Sequence, residues 1–470
     1  MVAVDSNGVV RTRGGRRKNY IIDTNVMLHD PDCLSNFKDN DLYLPIIVLE
    51  ELDQLKTREG LTGYQARGAA RALSTLLGRA DLRTGFAKGV FLGDGIVLRI
   101  VHHGDEMDRT DLFLDLNKND NRILATALRV MREHPEHATI LVSKDICMRI
   151  KAEALGIVAE DYETDRTPAE NLYKGYQELT FTDEEIDGVF GENGLPPPKK
   201  REFLPNEFVH AVSKDNPSHS VLARFNGKTL VPLRYGNHEA WGLRPINMEQ
   251  KMAFELLMDP GVQFVTLTGG AGSGKTILAT AVALEKVLEQ KEYRRIVLIR
   301  PTVAAGSDIG YLPGSEEEKL RPWMGSFYDA IDMLMRTESP VKTRARTRKE
   351  TDAFQVDSFI EDLRDSGTIE TKTFTYMRGR TLSDAFVIVD EAQEITPHLA
   401  KLMLTRAGSN SKFVFIGDPS DNQIDNLMVD SRSNGLVYVI DKMKECDITG
   451  HVTLRQVERS KLARLAERCM

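Results

Sequence analysis

Apolar residues in this chain gather in short, β-branched runs, each followed by a stretch in which they recur at helical spacing. In the first third the runs are residues 20–22, 42–48 and 139–142. Residues 119–128 and 146–155 carry apolar positions three and four apart, which predicts helices, and the segment after Pro45 is expected to turn helical. Strand-then-helix alternation of this kind predicts a parallel sheet covered by helices on both faces. The second half repeats it: 262–268, 296–299, 385–389 and 412–417 read as strands, and 277–288 is built from strong helix formers. Between the two lie short strand-like runs at 207–212, 220–225 and 229–233, with Asn226 and Gly227 forming a hairpin signal between the last two. A turn- and proline-rich stretch at 191–201 marks a linker or exposed loop. The pattern predicts an α/β chain in four parts. A basic flexible arm over 1–18 precedes a parallel-sheet domain over 19–165. A linker and small β module over 166–245, able to guide a ligand or simply cover a sheet edge, lead to a doubly wound domain over 246–470.

The strand at 262–268 and the helix after it flank Gly269, Gly270, Ala271, Gly272, Ser273, Gly274, Lys275, Thr276 and Ile277. The first eight match the phosphate-cradling pattern G-x-x-x-x-G-K-[ST], in the strand–loop–helix context it requires. The glycines allow successive N–H groups to turn inward, and the helix start adds its positive dipole end. Lys275 is expected to reach the β- and γ-phosphates and Thr276 to offer its hydroxyl to Mg²⁺. Residues 385–389 end at Asp390 and Glu391, at the strand end where open α/β sheets place ligands. Asp390 is assigned to Mg²⁺ through water and Glu391 to polarising the attacking water. Asp418 ends another strand, and Gln423 after it is placed to sense the γ-phosphate. Arg300 closes a fourth strand; a solvated strand-end charge explains it equally well.

The first domain carries a different set. Asp23 follows the strand at 20–22, Glu51 lies in the segment after Pro45, Asp120 opens a helix, and Asp145 follows the strand at 139–142. Each alone reads most simply as a helix cap. Four acids on successive elements at one sheet edge suggest more, because converging carboxylates repel unless a hard cation neutralises them. Oxygen ligands suit Mg²⁺ or Mn²⁺, and such ions activate water for in-line attack on a phosphodiester.

Composition sets limits. At 470 residues the chain exceeds a single core, and 41% hydrophobic with 28% charged residues is the balance of a soluble protein. No apolar run approaches ~18 residues, so no membrane span is expected. The start lacks an apolar signal region, and Cys33, Cys147, Cys446 and Cys469 are scattered, so free thiols in a reducing cytoplasm are expected. A net charge of −8 argues against a nucleic-acid binder. Two basic runs, 11–18 and 342–349, offer local positive surface or are simply solvated faces.

Taken together, these motifs resemble two known families. The 19–165 domain resembles a PIN domain through Asp23, Thr24 and Asn25, through Pro45, Val48 and Glu51, and through Asn119, Asp120, Ser143 and Asp145. The 246–470 domain resembles the PhoH family of RecA-like P-loop ATPases. That likeness rests on Gly269–Thr276, Arg300–Gly306, Gly310–Gly314, Met377–Leu382, Asp390–Gln393, Leu404–Arg406 and Ser433–Leu436. The resemblance implies an ATP- and Mg²⁺-dependent RNA helicase and ribonuclease assembled as a homohexameric ring. It further implies Gln250 as the adenine-reading glutamine, Arg300 and Gln423 as motif residues, and Arg459 as an arginine finger acting in trans. Arg378 and Arg380 are expected to relay nucleotide state or contact phosphates. One motif departs from the family pattern: Gly417 to Asp425 holds two extra residues ahead of Gln423. The expected activity is ATP-driven movement of single-stranded RNA coupled to metal-dependent cleavage. The alternatives are a toxin-like ribonuclease whose ATPase only gates access, and an ATPase that remodels non-RNA partners.

Overall fold

Buried β-branched strands followed by helices become parallel sheets, and the computed structural model of the chain contains two of them. It describes residues 3–4, 10–11, 17–58, 60–78, 85–86, 88–102, 114–162, 173–301, 325–337, 350–372, 381–426 and 428–456. The chain divides into two units, Met1–Arg166 and Thr167–Met470.

In the first unit, β1 (Ala3–Val4) and β2 (Val10–Arg11) form a small antiparallel pair. The main sheet uses β3 (Asn19–Ile22), β4 (Asp41–Pro45), β5 (Val90–Gly93), β6 (Ile96–Val101), β7 (Thr139–Val142) and β8 (Val158–Glu160). Their order is β5-β6-β4-β3-β7-β8, parallel except for β5. Every residue of β4 and β7 is buried, which accounts for their continuous apolar runs. Helices Ile46–Leu55, Asn119–Glu133 and Ile146–Ala154 arise where the sequence predicts them, and Thr24–His29 is a further short helix it did not predict. Pro45 caps Ile46–Leu55 with φ −58°, an angle its ring supplies without cost. The arm expected over 1–18 ends earlier than the charge run suggests. Arg17 is held by Asp41, with its Nε 2.9 Å from Oδ2, and donates to the carbonyl of Gly95 at 3.1 Å.

The second unit begins with β9 (Tyr176–Phe181), β10 (Phe208–Ser213), β11 (Ser220–Phe225) and β12 (Leu230–Pro232), ordered β12-β11-β10-β9. The hairpin falls at Asn226 and Gly227, where Asn226 Oδ1 accepts from the amides of Lys228 and Thr229. β9, running parallel to β10, was not apparent in the sequence. This module is fastened to the rest of its unit. Arg224 reaches Asp259 at 2.6 Å, and the Asn206 amide donates to the carbonyls of Asp447 and Thr449 at 2.7 Å. Phe208 lies in the larger core.

That core surrounds six parallel strands: β13 (Phe264–Gly269), β14 (Arg295–Ile299), β15 (Ile369–Lys372), β16 (Ala385–Val389), β17 (Ser411–Gly417) and β18 (Thr449–Leu454). The order is β15-β14-β16-β17-β13-β18. The two edge strands, β15 and β18, are polar enough to have escaped the hydrophobic pattern. Among the described residues no helix is long and apolar enough to cross a membrane.

Candidate functional site

β13 delivers the chain to the Gly269–Gly274 turn, and a helix starts at Lys275. Gly274 sits at φ +96°, and a Cβ there would lie 2.9 Å from the Gln250 amide nitrogen, so glycine is required twice over. Lys275 is buried, and its Nζ donates to the carbonyls of Gly269 at 2.6 Å and Gly270 at 2.9 Å and to Ser273 Oγ at 3.3 Å. The ammonium is thus stationed on the loop that phosphates would occupy. Asn247 caps the helix Met248–Met258 and so places Gln250. The amide of Gln250 is clamped in one orientation: Oε1 accepts from the Ile246 amide at 3.1 Å, and Nε2 donates to the Ser273 carbonyl at 3.2 Å.

Parallel pairing of β16 between β14 and β17 carries Asp390 and Glu391 to the same sheet edge. Asp390 Oδ2 accepts from Ser326 Oγ at 2.8 Å. Glu391 has φ +51°, a left-handed backbone that costs a non-glycine residue of order 1–3 kcal/mol. Its carboxylate is held from two sides, by Arg300 at 3.2 Å on Oε1 and by Gln393 Nε2 at 2.7 Å on Oε2. Arg300 is therefore an ion-pair partner of Glu391 rather than a solvated strand end. The two extra residues after Asp418 are absorbed by a 3₁₀ turn over Asp421–Gln423. Gln423 consequently lines the same cavity, of about 500 Å³, as Gln250, Ala271, Gly272, Gly274, Lys275, Thr276, Ile277, Asp390 and Glu391. Gly269, Gly270, Ser273 and Arg300 are not among its lining residues, although the first three supply the oxygens that hold Lys275 and Gln250. Ser326, Asp329 and Met333 also line it, at helical spacing along Gly325–Thr337. Sequence reasoning missed these three, since no local motif marks them.

In the first unit Asp23 is buried at the end of β3. Its Oδ2 accepts from Ser143 Oγ at 2.7 Å, and its Oδ1 from the Thr24 amide at 2.7 Å. Burial pushes its carboxyl up to about 7, opposed by those two hydrogen bonds and reinforced by the charges of Glu51 and Asp120. Three of the four expected acids therefore share one electrostatic environment. Each is also individually satisfied. Glu51 takes hydrogen bonds from Thr24 Oγ1 and, at 2.7 Å, from Asn119 Nδ2, and Asp120 faces Lys151 at 3.4 Å. Asp145 behaves as the simple cap: its Oδ1 accepts from the amides of Cys147 and Met148 at 2.7 and 3.3 Å. Among the described residues no group of three or more His, Cys, Asp or Glu is spaced to hold a metal ion. Of the four acids expected at one sheet edge, Asp23, Glu51 and Asp120 thus share a field, while Asp145 contacts its own helix start. The donor chemistry still fits a hard cation: a buried carboxyl raised to about 7 by burial and two neighbouring acids is one that a divalent ion would ionise.

Several expected residues fall outside those described: Arg459, Arg378, Arg380, the basic run 342–349 and most of the run 11–18. Cys33, Cys147 and Cys446 are free.

Comparison with known proteins is consistent with both halves. A model of PIN domains matches residues 20–163, and a model of PhoH-like proteins matches residues 242–470. Protein PhoH2 of Bacillus subtilis is 38% identical over 459 residues, spanning 96% of this chain and 99% of its own. Protein PhoH2 of Thermobispora bispora is 35% identical over 468 residues, spanning 99% and 98%. That of Mycolicibacterium smegmatis is 34% identical over 454 residues, spanning 95% of each. PhoH proteins are P-loop nucleoside-triphosphatases and PIN domains are nucleases, so the two families point to a nucleotide and a divalent metal as cofactors. The chain belongs to the PhoH2 family, in which a PIN domain is fused to a PhoH-like P-loop domain.

Proposed function

We propose that the protein is an ATP-dependent RNA helicase coupled to a metal-dependent endoribonuclease, acting on single-stranded RNA in the cytoplasm as a homohexameric ring. The observation that carries the motor half is the single cavity shared by the phosphate loop, Gln250, Asp390, Glu391 and Gln423. In this reading Lys275 moves from the loop carbonyls onto the β- and γ-phosphates, and Glu391 orients the attacking water while Gln423 meets the γ-phosphate. Mg²⁺ bound by Thr276 and, through water, by Asp390 would neutralise charge on the phosphates. In the other unit Asp23, Glu51 and Asp120, with Asp145 beside them, would hold Mg²⁺ or Mn²⁺, which supplies an activated water for phosphodiester attack. A ring is favoured because a neighbouring subunit can supply the arginine finger that completes a P-loop site, and such a finger is worth roughly 10³–10⁵ in rate. Arg459 is the candidate.

The clamped Gln250 amide makes a specific prediction. With Oε1 fixed by Ile246 and Nε2 by Ser273, one acceptor and one donor remain, the complement of adenine's N6–H and N7. Guanine offers O6 where adenine offers a donor. Gln250→Ala is expected to erase a preference for ATP over GTP of roughly ten-fold or more, measured as the ratio of kcat/KM values.

The net charge of −8 favours a second reading, an ATPase acting on partners other than RNA. Turnover of ATP with and without single-stranded RNA separates the two. Stimulation that weakens steeply with salt is expected from the RNA reading; a rate indifferent to RNA removes the helicase assignment.

A further inference from the structure

Gln393 has none of the charge that draws attention to a catalytic site, yet it is 1% exposed and its amide makes three hydrogen bonds within the site. One Nε2–H goes to Glu391 Oε2 at 2.7 Å, and Nε2 also donates to the Gln423 carbonyl at 3.1 Å. Oε1 accepts from the Asp418 amide at 3.1 Å. An amide nitrogen has two protons, so both donors are used, and the side chain cannot flip without losing all three contacts. The fit is close: a Cβ on Gly417 would lie 2.3 Å from Oε1. One side chain thus ties the group after β16 that carries Glu391 to the loop after β17 that carries Gln423. A neighbouring contact strengthens the tie, since the buried Glu394 carboxylate accepts from the amides of Asp425 and Asn426 at 2.8 and 2.9 Å.

We infer that Gln393 is a positioning residue for nucleotide hydrolysis: it makes the Glu391 carboxylate and the Gln423 loop move as one body. Water is then aligned for attack only when that loop has settled on the γ-phosphate. The strained φ of Glu391 is consistent with a carboxylate aimed by its surroundings rather than by local backbone preference. The inference rests on the ATPase reading above and adds the residue through which base and sensor are linked.

The test compares full-length wild type, Glu391→Gln, Gln393→Met and Gln393→Glu. Gln393→Met keeps the volume and removes the hydrogen bonds. Gln393→Glu keeps the shape and sets a carboxylate against Glu391. Affinity for a non-hydrolysable ATP analogue and KM for ATP are expected to stay within roughly three-fold in both Gln393 variants, while kcat falls by roughly 100-fold, the range of a misaligned general base. For Gln393→Glu, kcat should recover as the pH is lowered from 8 to 6, because a protonated carboxyl regains one donor toward Glu391. A merely structural role would not produce that pH profile. Single-turnover rates of Glu391→Gln and Glu391→Gln/Gln393→Met should coincide, since nothing remains to be aimed. Analogue binding lost in step with kcat in both Gln393 variants, or kcat at the wild-type level in Gln393→Met while Glu391→Gln is inactive, overturns the positioning role and leaves the ATPase reading standing. Wild-type turnover that is indifferent to Glu391→Gln overturns the ATPase reading itself.

Discussion

Lys275→Ala should reduce ATP turnover by roughly 10²–10³-fold, the usual loss when one donor is taken from developing charge in a water-poor site. The ammonium is the only side-chain cation of the phosphate loop itself, and its Nζ rests within 2.6–3.3 Å of three loop oxygens. It is therefore held on the loop where the phosphates enter. Alanine removes the cation and leaves the strand, turn and helix unaltered, so the melting temperature of the second unit should change little. Phosphate release measured at saturating ATP checks the rate, and RNA cleavage assayed without ATP should be untouched. A variant that hydrolyses ATP at the wild-type rate would remove Lys275 from the mechanism.

The second large effect belongs to Asp23→Asn. RNA cleavage in Mg²⁺ or Mn²⁺ is expected to fall by roughly 100-fold or more, at least the loss seen when a partner of a metal ligand is removed, with ATP turnover preserved. The same substitution has a stability signature of opposite sign. Burial first, and the charges of Glu51 and Asp120 after it, raise Asp23 from its ordinary 3.8 to about 7 in the folded chain. Between those values the folded state keeps a proton that the unfolded state has released, so stability falls as pH rises from about 4 to about 7. Asparagine carries no charge to desolvate. In metal-free buffer the variant should melt higher than wild type at pH 8 and not at pH 4. A difference independent of pH would show that Asp23 does not ionise in that window. Undiminished cleavage would dismiss the nuclease assignment.

The parts of the molecule that were legible in advance share one property: their meaning lies within a few consecutive residues. Residues 269–276 specify a strand–loop–helix whatever surrounds them, because glycine φ angles, a helix start and one lysine suffice. Buried strands such as β16 announce themselves because both faces are covered. Polar edge strands do not. β15 and β18 have one neighbour each, so their composition carries half the signal. The tail residue Arg17 looked like part of a solvated charge run, yet it is claimed by Asp41, 24 positions away.

What the amino-acid order settled by itself is the presence of a phosphate loop, the strands that end in acids, and the two families those acids belong to. Tertiary structure alone decided how those groups are used. It brought Asp23, Glu51 and Asp120 into one field, and turned a longer loop into a 3₁₀ turn that returns Gln423 to the cavity. It also set Gln393 between Glu391 and a loop 30 residues further on. The reason is one of range. A hydrogen bond acts over about 3 Å, so which distant side chain supplies the partner follows from strand order and packing, and neither is written in any local stretch of the chain.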